Sequence, residues 1–338
     1  MEKNLPLGKI PPDLLFEILA IQPPANPRVV IGPGEGLDCA VIDLDERLLV
    51  LKSDPITFAT DEIGWYAVQV NANDVATTGA QPLWFLATIL LPEGNTSRAL
   101  VLEINRQLIE ACQALEISLV GGHTEITYGL DRPVIAGTMI GEVAPEKLVT
   151  PNGASPGDAV LLTKSIPIEA TAILARERRD ELSGHLSEEE LAQAGHYIHH
   201  PGISVVREAR LAADTGWASA MHDPTEGGLA SALWELAEAS GRRLVIHPGQ
   251  IAVDPLAKKI CDALGINPLA AIASGALLLT SPSDRAPALT NVLQRNGIEC
   301  RSIGRVETGE PGVHMLADGK LSPLERPLRD ELARIFEA

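Results

Sequence analysis

From Leu51 to Pro82 the chain reads LKSDPITFATDEIGWYAVQVNANDVATTGAQP, and this stretch constrains the fold more than any other. Leu48 to Leu51 is a continuous apolar run, which predicts a buried strand. The strand is expected to end at Asp54-Pro55, because proline cannot donate to a ladder, and that end carries a carboxylate. Ile63 to Thr78 contains no proline and has its single glycine near the start, while Gly79 and Pro82 supply a stop, so the segment predicts a helix. At helical spacing Trp65, Val68, Ala72, Val75 and Ala76 share one face. Gln69, Asn73 and Thr77, flanked by Asn71, Asp74 and Thr78, share the other. Solvated helix faces ordinarily carry Lys, Glu and Arg, whereas Asn, Asp and Thr are mediocre helix formers. This face is therefore expected to be open to solvent or to a ligand, with Asp54 and Asp74 placed to converge on a cation.

A chain of 338 residues with 45% hydrophobic content is long enough for two domains, each with its own core. A formal net charge of −18 argues against nucleic acid or an anionic membrane as the main partner, and an anionic substrate would need a metal ion to offset the repulsion. Cys39, Cys112, Cys261 and Cys300 are scattered, with no zinc spacing, as expected for reduced, buried thiols. The N-terminal prolines Pro6, Pro11 and Pro12 do not suit a signal peptide, and no run approaches a membrane span, so a cytoplasmic location is expected.

In chain order, Asp13 to Ile21 predicts a short helix and Arg28 to Ile31 a strand. In IGPGEGLDCAVIDL, Gly32, Gly34 and Gly36 permit a tight turn, read either as a plain loop or as a close approach to a ligand, and Asp38 precedes the strand Cys39 to Asp43. Leu83 to Leu90 predicts a strand covered on both faces. Thr96 to Leu115 predicts a helix capped by Thr96 or Asn95, followed by a short strand from Ile117 to Val120. The sequence GGHTEIT then presents Gly121, Gly122, His123, Thr124 and Glu125 at a strand end. His123 there reads either as a structural hydrogen-bonding residue or as a ligand. Val134 to Val143 predicts one more strand.

TPNGASPGD, from Thr150 to Asp158, is dense in turn formers and marks a domain boundary, giving domains 1–149 and 150–338. Beyond it the pattern predicts a strand at Ala159 to Thr163 and helices at Ile168 to Arg178, Ser187 to His199 and Ile203 to Asp214. His196, His199 and His200 have helical spacing, but no carboxylate or cysteine accompanies them within a turn. In MHDPTEGGLASALWELAEASG, Asp223, Thr225 and Glu226 lead into Gly227 and Gly228, which open a helix. Its N-terminal N–H groups suit a phosphate, and Asp223 and Thr225 equally suit ordinary helix caps.

Taken in order, SDPIT, IGWYAVQVNANDVATTGAQP, GGHTE, the Pro-Gly-Asp turn, MHDPTEGGL and ASGALLL resemble the PurM-like ATP-binding superfamily over nearly the whole chain, and the Asp-Pro-Thr-x-Gly-Gly-Leu is most similar to its HypE-like members. The resemblance implies an α+β fold in two domains: an N-terminal domain that pairs with its twin into a dimeric β-barrel, and a C-terminal α/β domain. It implies ATP and Mg²⁺ as cofactors and a homodimer. Position by position it implies Asp38, Asp54 and Asp74 as metal ligands. Gly34, Gly36, Asn73, Gly121, Gly122, Thr124, Gly227 and Gly228 would line the nucleotide, and His123, Glu125 and Asp223 are candidates for catalysis.

The chain departs from the family pattern at three places. His123 stands where kinase-like members have aspartate, Glu226 stands where HypE-like members have arginine, and no cysteine follows Cys300 to accept a carbamoyl group as HypE's tail does. The expected function is an ATP-dependent activation of an amide, carboxylate or phosphate oxygen by phosphoryl transfer. The alternatives are a nucleotide-binding assembly or regulatory protein without turnover and a thiamine-monophosphate-kinase-like phosphotransferase. Asp74, expected at the surface, should contribute little to stability.

Overall fold

The computed structural model describes residues 10, 12–20, 26–34, 37–57, 59 and 61–337. Two compact units emerge. One comprises Asn26–Gly32 and Asp38–Leu148, and the other begins at Val149 and includes the helix α1 (Pro12–Ala20) with Pro33, Gly34 and Leu37. Among the described residues no helix is long and apolar enough to cross a membrane.

The N-terminal unit runs β1 (Val29–Ile31), β2 (Ala40–Asp43), β3 (Leu48–Ile56), α2 (Ile63–Thr77), β4 (Gln81–Pro92), α3 (Arg98–Ala114), β5 (Ser118–Thr127) and β6 (Val134–Val143). The six strands form one sheet in the order β1-β2-β3-β6-β4-β5, in which β4 and β5 are parallel and the other neighbours antiparallel. This corrects the barrel expectation: among the described residues β1 and β5 are open edges, and closure requires the outermost strands to pair.

Two strands also run further than the sequence suggested. β3 continues through Pro55 to Ile56, paired with β6, because β2 stops opposite Leu51 and leaves β3 with an open side that tolerates proline. β5 carries Gly121 to Thr127 as ladder residues opposite β4, so GGHTEIT lies within an extended strand and not in a loop beyond it. The cap of α3 is Ser97, whose Oγ accepts a hydrogen bond from the Leu100 N–H at 3.1 Å.

The largest departure concerns α2. Every residue from Ile63 to Thr77 except Trp65 is buried, including Gln69, Asn71, Asn73, Asp74 and Thr77. The polar face meets protein and not water, because α2 packs on β3, β4 and β6 with one side and on α3 with another. Two glycines of β6 make this approach possible. A Cβ on Gly137 would lie 2.6 Å from Asn71 Nδ2 and 2.7 Å from the Phe85 ring, and one on Gly141 would lie 2.5 Å from Val75 Cγ1. Alternation along β6 puts both on the face that receives the helix.

In the C-terminal unit the order is β7 (Asp158–Thr163), α4 (Ile168–Glu177), α5 (Arg179–Leu182), α6 (Glu188–Gly195), α7 (Val206–Thr215), β8 (Ala220–His222), α8 (Gly228–Ser240), β9 (Arg243–Ile246), α9 (Pro255–Leu264), β10 (Leu278–Pro282), α10 (Ala286–Arg295), β11 (Cys300–Glu307), β12 (Gly312–Ala317), β13 (Lys320–Pro323) and α11 (Glu331–Phe336). The sheet order is β13-β12-β9-β11-β7-β10-β8, and the β12–β9 pairing is parallel while the rest are antiparallel, so this unit too is α+β and its sheet is open among the described residues. Leu229, Leu233 and Leu236 of α8 pack with Val160, Leu162, Leu244, Ile246, Leu278 and Ile303 of the sheet. The four cysteines are buried and unbridged.

Gly137→Val, which forces a branched side chain against Asn71 and Phe85, is expected to cost roughly 1–3 kcal/mol or more as an overpacked core position. Urea denaturation followed by circular dichroism should show a lower midpoint at an unchanged slope.

Candidate functional site

The sequence-predicted carboxylates Asp38, Asp54 and Asp74 do come together, and they meet on a residue the sequence reading had passed over. Lys52 lies two residues before Asp54 on β3, so both side chains leave the strand on the face toward α2. Its Nζ is 2.9 Å from Asp74 Oδ2, 3.6 Å from Asp54 Oδ2 and 3.8 Å from Asp38 Oδ1. The lysine side chain is 12% exposed and that of Asp74 3%, whereas Asp38 and Asp54 keep 32% and 34%, so the cluster has a closed floor and an open rim. Burial works against the charge on Lys52, but Asp74 first, then Asp38 and Asp54, outweigh it and hold the ammonium well above its ordinary range.

Asn71 fixes the geometry from the helix side. Its Oδ1 accepts from the Asp54 N–H at 3.0 Å, and its Nδ2 donates to the Asp54 carbonyl at 3.3 Å and to the Ala67 carbonyl at 2.8 Å. The amide thus clasps the strand at the residue whose carboxylate faces Lys52. Asn73 is fully buried beside it in sequence. Among the described residues no group of three or more His, Cys, Asp or Glu side chains is set to hold an ion by itself. Three carboxylates against one ammonium nonetheless leave the cluster net negative, and carboxylate oxygens are the donors a hard divalent cation takes.

On the same sheet, His123 and Glu125 lie on β5 with His123 Nε2 3.3 Å from Glu125 Oε2, and both side chains are more than half exposed. Thr124 stands between them and pairs in register with Ile89. Gly122 is required by its neighbour, since a Cβ there would lie 2.0 Å from the Ala87 carbonyl oxygen. A Cβ on Gly121 would meet nothing within 4 Å.

Gly34, Asp223, Gly227 and Gly228 belong to the other unit, and Gly36 lies outside the described residues. The Gly34 carbonyl accepts a hydrogen bond from the Leu37 N–H at 3.3 Å. At the start of α8 the donors are already used. The Gly227 N–H donates to Asp330 Oδ2 at 2.6 Å, and the Gly228 N–H donates to the Thr225 carbonyl at 2.9 Å. Both glycines have positive φ, and a Cβ on Gly227 would sit 2.0 Å from Ser231 Oγ. The start of α8 is thus closely packed, with the Asp330 carboxylate against it.

That acidic neighbourhood has its own electrostatics. Burial pushes the Glu169 carboxyl up to about 8, against a lowering pull from Ser274 and with help from Glu226 and Asp330. Burial likewise raises Asp330 to about 7, although the N–H groups of Gly227 and Leu332 donate to it. Asp223 is buried, and its neighbour His222 brings Nε2 within 2.7 Å of Glu235 Oε2. The rings of His196 and His199, just after α6, lie 5.2 Å apart between centroids and are tilted by 46°.

Comparison with known proteins places this architecture. Residues 36–143 match the AIR synthase related protein N-terminal domain, and residues 155–316 match the corresponding C-terminal domain. The chain belongs to the AIR synthase related protein family. Among its relatives is a putative hydrogenase expression/formation protein of Methanocaldococcus jannaschii, 26% identical across 97% of each chain. Another is the carbamoyl dehydratase HypE of Cupriavidus necator, 31% identical across 77% of this chain and 72% of that one. Among solved structures, hydrogenase maturation protein HypE in complex with ATP superimposes with a TM-score of 0.72, at 25% identity and covering 89% of this chain and 90% of the other. The family match spans both units of this AIR synthase related chain, including the strand that bears Lys52 and the helix that bears Asp74.

Because Asp74 is 2% exposed and paired with a buried ammonium, the expectation of a surface carboxylate does not hold. Asp74→Asn should cost about 2–3 kcal/mol in chemical denaturation, less than a fully orphaned buried charge because Asp38 and Asp54 still face Lys52. Glu169 gives a pH prediction. Its pKa is raised by folding, so the folded chain binds the extra proton, and the contribution of Glu169 to stability is fully present in acid and declines as pH rises from the ordinary carboxyl range through about 8. The slope is at most about 1.4 kcal/mol per pH unit. Glu169→Gln should raise the melting temperature at pH 8.5 and change it little at pH 5, and a scan of melting temperature against pH for both proteins checks it.

Proposed function

We propose that this chain is an ATP-dependent enzyme that binds Mg·ATP and activates an oxygen of an amide, carboxylate or phosphate substrate by phosphoryl transfer. The observation that carries this reading is the convergence of Asp38, Asp54 and Asp74 at one half-open pocket. The ATP complex of a HypE protein with the same fold supports it.

In this reading the three aspartates hold Mg²⁺ through their carboxylate oxygens, and Asn71 keeps Asp54 at its station through the backbone. The ion would supply charge neutralisation for a polyphosphate that a chain of net charge −18 otherwise repels. Gly121, exposed on β5, would line the nucleotide. His123 Nε2, facing Glu125 Oε2, is placed to hold or pass a proton at the open side of β5. The protein's part is chiefly positioning and electrostatics, as phosphoryl transfer demands.

The chain is proposed to act as a homodimer through its N-terminal unit. Nine of the ten residues of β5 are exposed, and Val120 and Ile126 on the strand and Tyr128 just beyond it are 54%, 58% and 84% exposed. A second copy of the same edge would cover them. Light scattering at micromolar concentration should give twice the monomer mass, and a monomer would refute it.

A thermal-shift titration tests the nucleotide site. A ligand that binds the folded state alone stabilises it by about 2.7 kcal/mol at a hundredfold excess over its dissociation constant. ATP should raise the melting temperature only with Mg²⁺ present, and Asp74→Asn should lose that rise. An unchanged melting temperature at millimolar Mg·ATP would refute the site, and a rise without release of ADP in the presence of candidate substrates would favour a binding role over turnover.

A further inference from the structure

Lys52 occupies the position that a cation bound by Asp38, Asp54 and Asp74 would need. Its Nζ stands 2.9, 3.6 and 3.8 Å from oxygens of the three carboxylates, and it does so from a buried stem anchored in a paired strand, opposite Met139. A magnesium ion draws oxygens to about 2.0–2.1 Å from its own centre. An ammonium and a divalent ion inside the same small shell of carboxylates repel strongly, and the closed floor at Asp74 leaves little water to screen them. The strand cannot move out of register, so the ammonium must leave by rotation of its four-carbon stem toward the open rim at Asp38 and Asp54.

We propose that Lys52 is a built-in counter-ion that holds the three aspartates together without metal and must be displaced when a divalent cation binds them. The inference rests on the metal reading of the site given above. It goes further in making metal entry and lysine release one event, with the lysine lowering the affinity for free metal. If metal bound elsewhere and left the Lys52–Asp74 pair in place, removing the lysine would change the metal affinity little.

Isothermal titration calorimetry with Mg²⁺ alone, and with Mn²⁺ as a second probe, separates the cases. Lys52→Met should bind the metal at least tenfold more tightly than the wild-type chain, and its melting temperature should rise more on adding metal, because metal then replaces the missing positive charge. Equal or weaker affinity in Lys52→Met, with wild-type binding that Asp74→Asn abolishes, overturns the role of Lys52 and leaves the metal site standing. Metal binding by neither protein overturns the metal site and this inference with it. Should Lys52→Met not fold without metal, acetylation of Lys52 in the wild-type protein, mapped by mass spectrometry, gives the second measurement. Saturating Mg²⁺ should increase modification of Lys52 several-fold relative to that of exposed Lys258, and an unchanged ratio overturns the proposal.

Discussion

The N-terminal unit depends on the ion pair between Lys52 and Asp74, because that pair allows a helix with a polar side to be buried on all sides. Removing charged groups from water costs several kcal/mol per ion unless the partner and further polar contacts compensate. Here a second and a third carboxylate stand behind the first, and Asn71 satisfies the neighbouring backbone of Asp54. The arrangement also explains the residue types. Where α2 meets Gly137 and Gly141 the approach is close enough that the helix carries the short side chains of Asn71 and Val75 there.

The two units neutralise clustered carboxylates in different ways. In the N-terminal unit a lysine supplies the opposing charge, and the three aspartates around it hold its ammonium well above the ordinary range. In the C-terminal unit Glu169 and Asp330 face Glu226 across a buried region, and the acidity is relieved by holding protons. The first arrangement gathers three carboxylates around one ammonium. The second makes the start of α8 a packing junction, where Asp330 near the end of the described chain ties down the Gly227 N–H.

The elements of both units were largely legible in the sequence, because apolar runs, glycine stops and turn-rich joints act locally. β6 and α2 were read nearly to their ends. Errors arose where partners decide. Pro55 and Gly121 looked like strand ends, yet an open side at β3 and a parallel neighbour at β5 carry the strands onward.

The sequence by itself determined that Asp38, Asp54 and Asp74 would be short-armed carboxylates at the ends and faces of adjoining elements, and it carried the family motifs in order. The tertiary structure alone decided that these carboxylates meet on Lys52, that α2 is interior, and that the sheets stay open among the described residues. Periodicity states which residues share a face, but it is silent on what covers that face. Whether a polar stripe meets water, a ligand or another helix is set by long-range packing, and here two glycines more than sixty residues further along the chain let α2 settle against the sheet.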